Sequence, residues 1–245
     1  MSICVNNESS IVTYFSGGEV ETKHFGISAD TFLKEGNYGS LFVNKFDTSR
    51  LIKKSCSETL INEYAVGKKI DHPNFMKVYR LFKKVYIGKN GKEVKCKYKL
   101  EIERISGRTL EDLWSSEKID RGFYLKLTDA LCKGIIYLNH QKIAWDDLNT
   151  DNIMKNDDGE IKFIDFGLYV EEMDDAIRVK SSLKNYHNLV KYIMKHHQMS
   201  VDVEEINKRV ENLLAKMIQE LGRGPASPEQ TLGSFLDSVK LYTHL

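Results

Sequence analysis

The sequence predicts an α+β fold in two parts, a small β-sheet with one helix up to about residue 105 and a mainly helical part over 106–245. Three observations carry that prediction. Between Thr31 and Ile102, short apolar runs that alternate every second residue are separated by glycine-bearing turns, as paired strands require. Residues 121–140 set Phe123, Leu127, Leu131, Ile135 and Leu138 along one face of a long helix. From Trp145 to Gly167, the short strands Ile153–Lys155 and Ile161–Ile164 flank Asn156-Asp157-Asp158-Gly159, whose Asp-Gly pair is a strong hairpin signal.

The elements follow in chain order. Residues 1 to about 27 are polar and rich in Ser, Asn and Thr, and read as an N-terminal extension with one strand and a frayed end. Leu33 to Phe42 reads strand, glycine turn, strand. Gly36 and Gly39 allow positive φ and close approach of backbone N–H groups to phosphate oxygens, and Tyr38 stands at the turn tip. Arg50–Lys54 is the next strand. Alternation sends Lys53 and Lys54 to opposite faces, so only one can face a site; the compact spacing from Gly36 favours Lys53, with Lys54 the alternative.

Ser55-Cys56-Ser57-Glu58 fits a capping box that opens a helix with the apolar stripe Leu60, Ile61, Tyr64, Ala65 and Ile70. Glu58 and Glu63, five residues apart at about 100° each, lie on different faces, so they cannot share one role. Residues 78–87 and 94–102 are strands around an Asn90-Gly91 turn, with Tyr98, Leu100 and Ile102 pointing inward. Residues 103–107 connect to a short run at 109–113. Beyond Gly167, residues 168–184 read as an irregular segment, acidic then basic, with the next helix from about Asn185. His196-His197 reads as a solvated helix end, since adjacent helical positions share no face. Residues 202–220 are amphipathic, and Gly222 and Gly224 end that helix. Ser227-Pro228-Glu229-Gln230 starts a last one, with Leu232, Phe235, Leu236, Val239 and Tyr242 as its stripe.

Composition bounds the function. With 41% hydrophobic residues and a net charge of +1, the chain reads as soluble and globular, with no electrostatic case for nucleic acid or a membrane surface. No apolar run approaches the roughly 20 residues of a membrane helix, and the start lacks the basic and apolar regions of a secretory signal. Four scattered cysteines without CxxC pairing favour reduced thiols in a cytosol.

The chemistry gathers at the hairpin. Asp147 and Asn152 precede its first strand and Asp165 follows its second, so the hairpin brings all three to one end. A carboxylate and an amide oxygen suffice for Mg²⁺, a hard cation that keeps waters beside nucleotide phosphates. Asp165 and Asn152 are the candidate ligands. Asp147 is left to orient an attacking hydroxyl and accept its proton.

Asp147-Leu148 with Asn152, followed by Asp165-Phe166-Gly167, resembles the D-L-x-x-x-x-N loop and D-F-G of the protein-kinase superfamily. That resemblance covers about residues 30–190. It implies a bilobal protein-kinase-like fold with an extension (1–27), an N-lobe (28–105) and a minimal helical C-lobe (106–245) with a short activation segment. ATP and Mg²⁺, with Mn²⁺ as the alternative ion, would lie between the lobes. Gly36, Tyr38 and Gly39 take the place of the Gly-rich loop, where Lys34 replaces the first glycine. Lys53 takes the place of the phosphate-binding lysine. The run from Asn62 to Phe82 resembles the helix-to-strand segment that carries the partner glutamate, which assigns the ion pair to Glu63. Ile102 takes the gatekeeper place, and backbone groups near Glu103 and Ile105 would bind adenine.

The departures are specific. Trp145 replaces His and keeps an apolar packing role. Asp146 replaces the Arg that receives an activation-loop phosphate, which implies activity without such phosphorylation. Asn149 replaces the Lys typical of Ser/Thr kinases, and no A-P-E follows. Together these resemble compact bacterial effector kinases of the OspG/NleH and HopBF kinds. That resemblance implies a monomeric kinase delivered by a type III-like system into a host cytoplasm, acting on a protein of the ubiquitin or chaperone pathways. The alternatives are a small-molecule or sugar kinase of the same superfamily and a non-catalytic docking module.

Overall fold

The chain divides into two units, one of Met1–Lys69 with Met76–Ile105 and the other of Ile70–Phe75 with Ser106–Leu245. The computed structural model describes residues 11–15, 30–36, 39–87, 93–115, 120–166, 169–170, 174–196, 201–221, 234 and 237–238. Several sequence expectations fall outside the described residues: Gly17-Gly18, Tyr38, the Asn90-Gly91 turn, Gly167, His197, Gly222, Gly224, and the Ser227–Gln230 start of the last helix with its apolar stripe.

The first unit holds β1 (Ile11–Phe15), β2 (Thr31–Gly36), β3 (Gly39–Val43), β4 (Arg50–Ser55), α1 (Thr59–Gly67), β5 (Val78–Ile87) and β6 (Glu93–Glu103). The strands form one antiparallel sheet in the order β1-β5-β6-β4-β3-β2. Tyr98, Leu100 and Ile102 of β6 are all buried, as their alternation predicts. Register then places the neighbours: Leu51 stands opposite Ile102, Lys53 opposite Leu100, and Lys54 opposite Lys99. Directly opposed residues share a face, so Lys53 lies on the side of Leu100 and Lys54 on the other.

α1 departs from expectation. Ser55 ends β4, and the helix starts at Thr59 after Glu58, which makes no side-chain cap bond. The serines bond locally instead: Ser55 Oγ accepts from the Ser57 N–H and Ser57 Oγ from the Thr59 N–H. Glu58 accepts from the Tyr98 hydroxyl at 3.3 Å. The buried face is Leu60, Glu63, Val66 and Gly67, whereas Ile61 and Ala65 are exposed.

The second unit holds β7 (Gly107–Thr109), α2 (Leu110–Trp114), α3 (Arg121–His140), β8 (Ala144–Trp145), a 3₁₀ turn (Thr150–Asn152), β9 (Ile153–Asn156), β10 (Ile161–Phe163), β11 (Tyr169–Val170), α4 (Asp175–His196) and α5 (Val201–Leu221). Its strands make two small sheets, β10-β9-β7 and β11-β8. Asp120 caps α3 by accepting from the Phe123 N–H at 2.8 Å. The other end closes as a Schellman motif: the Ile143 and Lys142 N–H groups bond the Leu138 and Asn139 carbonyls, with Lys142 at φ 58°. Gly159, at φ 79°, makes the β9–β10 turn. Under the hairpin lies an aromatic core of Phe75, Trp145, Phe163 and Phe166, with Trp145 4.6 Å from the Phe163 ring. Trp145, fully buried, has the packing role expected of it.

α4 begins at Asp175, ten residues before the expected Asn185. The charges of 174–184 suggested a loop. Yet Val179, Leu183, Tyr186, Val190 and Ile193 keep helical spacing and are buried, so one apolar stripe runs through the whole stretch. Asp174 supports the start, its carboxylate accepting from the Ile177 N–H. α5 packs on α4, and its Val203, Val210 and Leu214 are buried.

Candidate active site

In the first unit, Lys53 Nζ lies 2.8 Å from Glu63 Oε2. The Glu63 side chain is 1% exposed and that of Lys53 14%. A carboxylate so deep in the fold costs several kcal/mol to desolvate unless a cation and hydrogen bonds accompany it. Lys54 is occupied elsewhere: its ammonium bonds Asp30 at 2.9 Å and lies 3.8 Å from the Phe42 ring centroid. Gly36 and Gly39 face each other across the β2–β3 pair. Gly39 has φ 145°, and a Cβ there would stand 2.2 Å from the Lys54 carbonyl oxygen, so only glycine lets β3 approach β4 this closely. Tyr38 lies outside the described residues. Ile102 is buried in β6. The Glu103 N–H donates to the Lys77 carbonyl at 2.8 Å, and its carboxylate accepts from the Lys77 N–H, which fixes the end of β6. Ile105 follows, half-buried.

In the second unit, the stretch between β8 and β9 holds Asp147 and Asn152. Asn152 Nδ2 donates to the Asp147 carboxylate at 2.7 Å and to its carbonyl at 3.0 Å. Asn149 Nδ2 donates to the other carboxylate oxygen at 2.8 Å. α4 anchors the start of the loop, Asn185 Nδ2 donating to the Trp145 carbonyl at 2.8 Å. Asp165 follows β10. The hairpin end is tied to the loop, because the Ile164 N–H donates to the Asn152 carbonyl at 2.9 Å. Asp165 has φ 63°, a left-handed conformation that costs a non-glycine residue about 1–2 kcal/mol. Such a strained residue next to a polar cluster points to function.

This donor set suits a hard cation. The Asn152 amide nitrogen is turned to Asp147, which directs its oxygen the other way, and Asp165 adds a carboxylate. Two such oxygens, with phosphates and water, match Mg²⁺. Sequence reasoning missed the place of Asn149. The signal was available: an Asn three residues before Asn152, at a cap position of the turn. It also missed the partner of Asp146, whose carboxylate accepts from Ser181 Oγ at 2.8 Å. Beside the loop opens a cavity of about 430 Å³, lined by Glu111, Leu148, Asn149, Asp151, Asn188 and Tyr192 among others.

Residues 32–186 match the family model described as protein kinase domain. The chain belongs to the protein kinase family, with a β-sheet unit followed by a mainly helical one. It is 30% identical over 154 residues to a Dictyostelium discoideum protein named "Probable serine/threonine-protein kinase mkcD", across 57% of this chain and 22% of that protein. It is 27% identical over 149 residues to mouse death-associated protein kinase 2, across 59% of this chain and 37% of that one. A third relative is the serine/threonine-protein kinase plk-2 of Caenorhabditis elegans, 27% identical over 138 residues, across 56% of this chain and 20% of that one. The chain thus spans between 20% and 37% of the length of these relatives. The family as a whole implies ATP and a divalent metal ion. Among the described residues no helix is long and apolar enough to cross a membrane.

Proposed function

We propose that this chain is an ATP-dependent protein kinase, specific for Ser/Thr, that transfers the γ-phosphate of Mg-ATP to a protein hydroxyl. The observation that carries this reading is the Asp147 carboxylate, held on both oxygens by carboxamides beside the hairpin end that bears Asp165. A carboxylate fixed in this way can align an acceptor hydroxyl and take its proton as the oxygen attacks phosphorus. Lys53, steadied by Glu63, would hold the α- and β-phosphates. Gly36 and Gly39, with Tyr38, would cover them, and backbone groups at Glu103 and Ile105, behind Ile102, would bind adenine. Asn152 and Asp165 would hold Mg²⁺ or Mn²⁺, which when bound neutralises the phosphate charge. The names of the relatives support Ser/Thr specificity.

The finer reading is a secreted bacterial effector acting as a monomer on a host protein of the ubiquitin or chaperone pathways. The Asp147-Leu148-Asn149-Thr150-Asp151-Asn152 loop and Asp146 in place of Arg support it. The early start of α4 leaves residues 166–174 as the whole stretch between Asp165 and that helix. The same shortness, with the cavity beside the loop, favours a second reading in which the acceptor is a small molecule.

The deciding experiment is transfer of labelled γ-phosphate from Mg-ATP to the protein itself and to a eukaryotic lysate, with Asp147→Ala and Lys53→Met in parallel. A discrete labelled lysate protein, absent with both variants, is the expected result. Label found only in a small-molecule fraction would replace this reading by the second. No binding of nucleotide at all would make the chain a docking module.

A further inference from the structure

Asn149 is bonded at both ends of its side chain. Its Oδ1 accepts from the N–H groups of Asp151 and Asn152, at 3.0 and 3.1 Å, which caps the 3₁₀ turn. Its Nδ2 donates to Asp147 Oδ1 at 2.8 Å. Asp147 Oδ2 takes the Asn152 amide at 2.7 Å. One carboxylate is therefore gripped by two carboxamides, and one of them is locked to the backbone of the turn that follows.

A lysine at this place, which the family pattern leads one to expect, could not do the same. An ammonium has three donors and no acceptor, so it cannot cap the turn, and its flexible stem leaves its direction open. An asparagine is neutral and planar, and both of its ends are used here. The exchange gives up a charge and gains an orientation. A carboxylate offers about four lone-pair positions. With one donor on each oxygen, the remaining positions have fixed directions, and an acceptor hydroxyl can meet Asp147 only along them.

We propose that Asn149 is a positioning residue, a bracket that sets the carboxylate plane of Asp147 for proton acceptance. The proposal rests on the phosphotransfer reading of Asp147 and extends it. Asn149 acts through Asp147, so its loss should lower turnover and leave nucleotide affinity alone. A misplacement of about 1 Å at such a group costs on the order of 10²-fold.

The test separates the two ends of the side chain. Asn149→Asp keeps acceptors for the turn but replaces the donor to Asp147 by a like charge; Asn149→Lys keeps a donor and removes the acceptor; Asn149→Ala removes both without adding charge and is the cleaner measure of the bracket. We expect kcat to fall on the order of 30–100-fold in Asn149→Asp and Asn149→Ala, with KM for ATP within twofold of the parent. Asn149→Lys should recover at least part of the turnover lost in Asn149→Ala. An Asn149→Asp variant within threefold of the parent in kcat would overturn the proposal, as would a rise in KM with kcat unchanged. A second readout needs no activity: the side-chain amide signals of Asn149 in a ¹⁵N-correlation spectrum should be protected from exchange and should move on Asp147→Ala. If the protein transfers phosphate to nothing, the reading of its function fails while moved amide signals still uphold the bracket. Amide signals that stay unmoved refute it whatever the activity.

Discussion

At the residue scale, two adjacent lysines have different fates because of strand alternation. Lys53 shares its face with Leu100 and meets Glu63; Lys54 faces away and meets Asp30. Lys53→Met should lower phosphotransfer by about 10²–10³-fold, as expected when one preorganised donor to a charged transition state is removed, and should also lower stability by about 3–5 kcal/mol, since the Glu63 side chain, 1% exposed, loses this ammonium. Lys54→Met should keep transfer within about threefold and lower stability by about 1–3 kcal/mol, since the Asp30 side chain, 5% exposed, loses its ammonium. Parallel rate assays and urea titrations on the two variants would show stability lowered in both and transfer lost in Lys53→Met alone, and a matched loss of rate in both would contradict it. His72 supplies a second residue-scale case. Burial holds its imidazole below the ordinary value, and the Lys133 ammonium adds to that depression. Its Nδ1 accepts from the Asn74 N–H at 3.2 Å, and its ring packs on Tyr137 at 4.9 Å, so the folded state favours the neutral form. The stability this provides is fully present above the unfolded value near 6.5 and is lost as pH falls through the lower folded value. The urea midpoint should therefore drop between pH 7 and pH 5, and His72→Asn should flatten that part of the profile.

At the element scale, legibility followed the strength of the local signal. The α3 stripe, the β9–β10 hairpin and the inward face of β6 were readable because periodicity and turn chemistry agree there. α1 misled because Ser55 and Glu58 have the spacing of a capping box, while the strand before them runs on through Ser55 and a turn intervenes. The start of α4 was hidden because charged residues alternate with its buried stripe, and burial, which settles the matter, is a tertiary property. Of the candidate site, motif and spacing in the sequence supplied the proposed residues. The grip of Asn149 on Asp147 could not, since it depends on the φ and ψ of a 3₁₀ turn. Two substitutions test the elements themselves. Lys142 occupies the left-handed position that ends α3, so Lys142→Gly should stabilise the protein by about 0.5–1 kcal/mol. Gly134 lies inside α3, where alanine would gain about 1 kcal/mol of helix propensity. A Cβ there would stand 3.0 Å from Phe163 and 3.3 Å from Phe75, two buried rings packed 5.1 Å apart. Such overpacking costs about 1–3 kcal/mol, so Gly134→Ala should be destabilising on balance, seen as a lower thermal midpoint.

At the scale of the whole molecule, the question is whether activity needs a covalent signal. A phosphate orders an activation segment when a nearby cation receives it. Here the position that would supply the cation is Asp146, already bonded to Ser181 on α4. Arg178, the arginine nearest Ser181 in the sequence, is 3% exposed and engages Asn139 and Asp175. Residues 166–174 contain no serine or threonine at all; their single hydroxyl is that of Tyr169. The first serine beyond is Ser181 itself, where a phosphate would face the Asp146 carboxylate and be repelled. Protein made with and without phosphatase treatment should therefore phosphorylate its acceptor at rates within about twofold. Ser181→Glu should lower the rate, because a like charge beside Asp146 pushes on the stretch that leads into Asp147. Ser181→Ala removes one exposed hydrogen bond, worth about 1 kcal/mol, and should leave the rate near that of the parent. A protein silenced by phosphatase and restored by rephosphorylation would show that the receiving cation lies elsewhere in the chain.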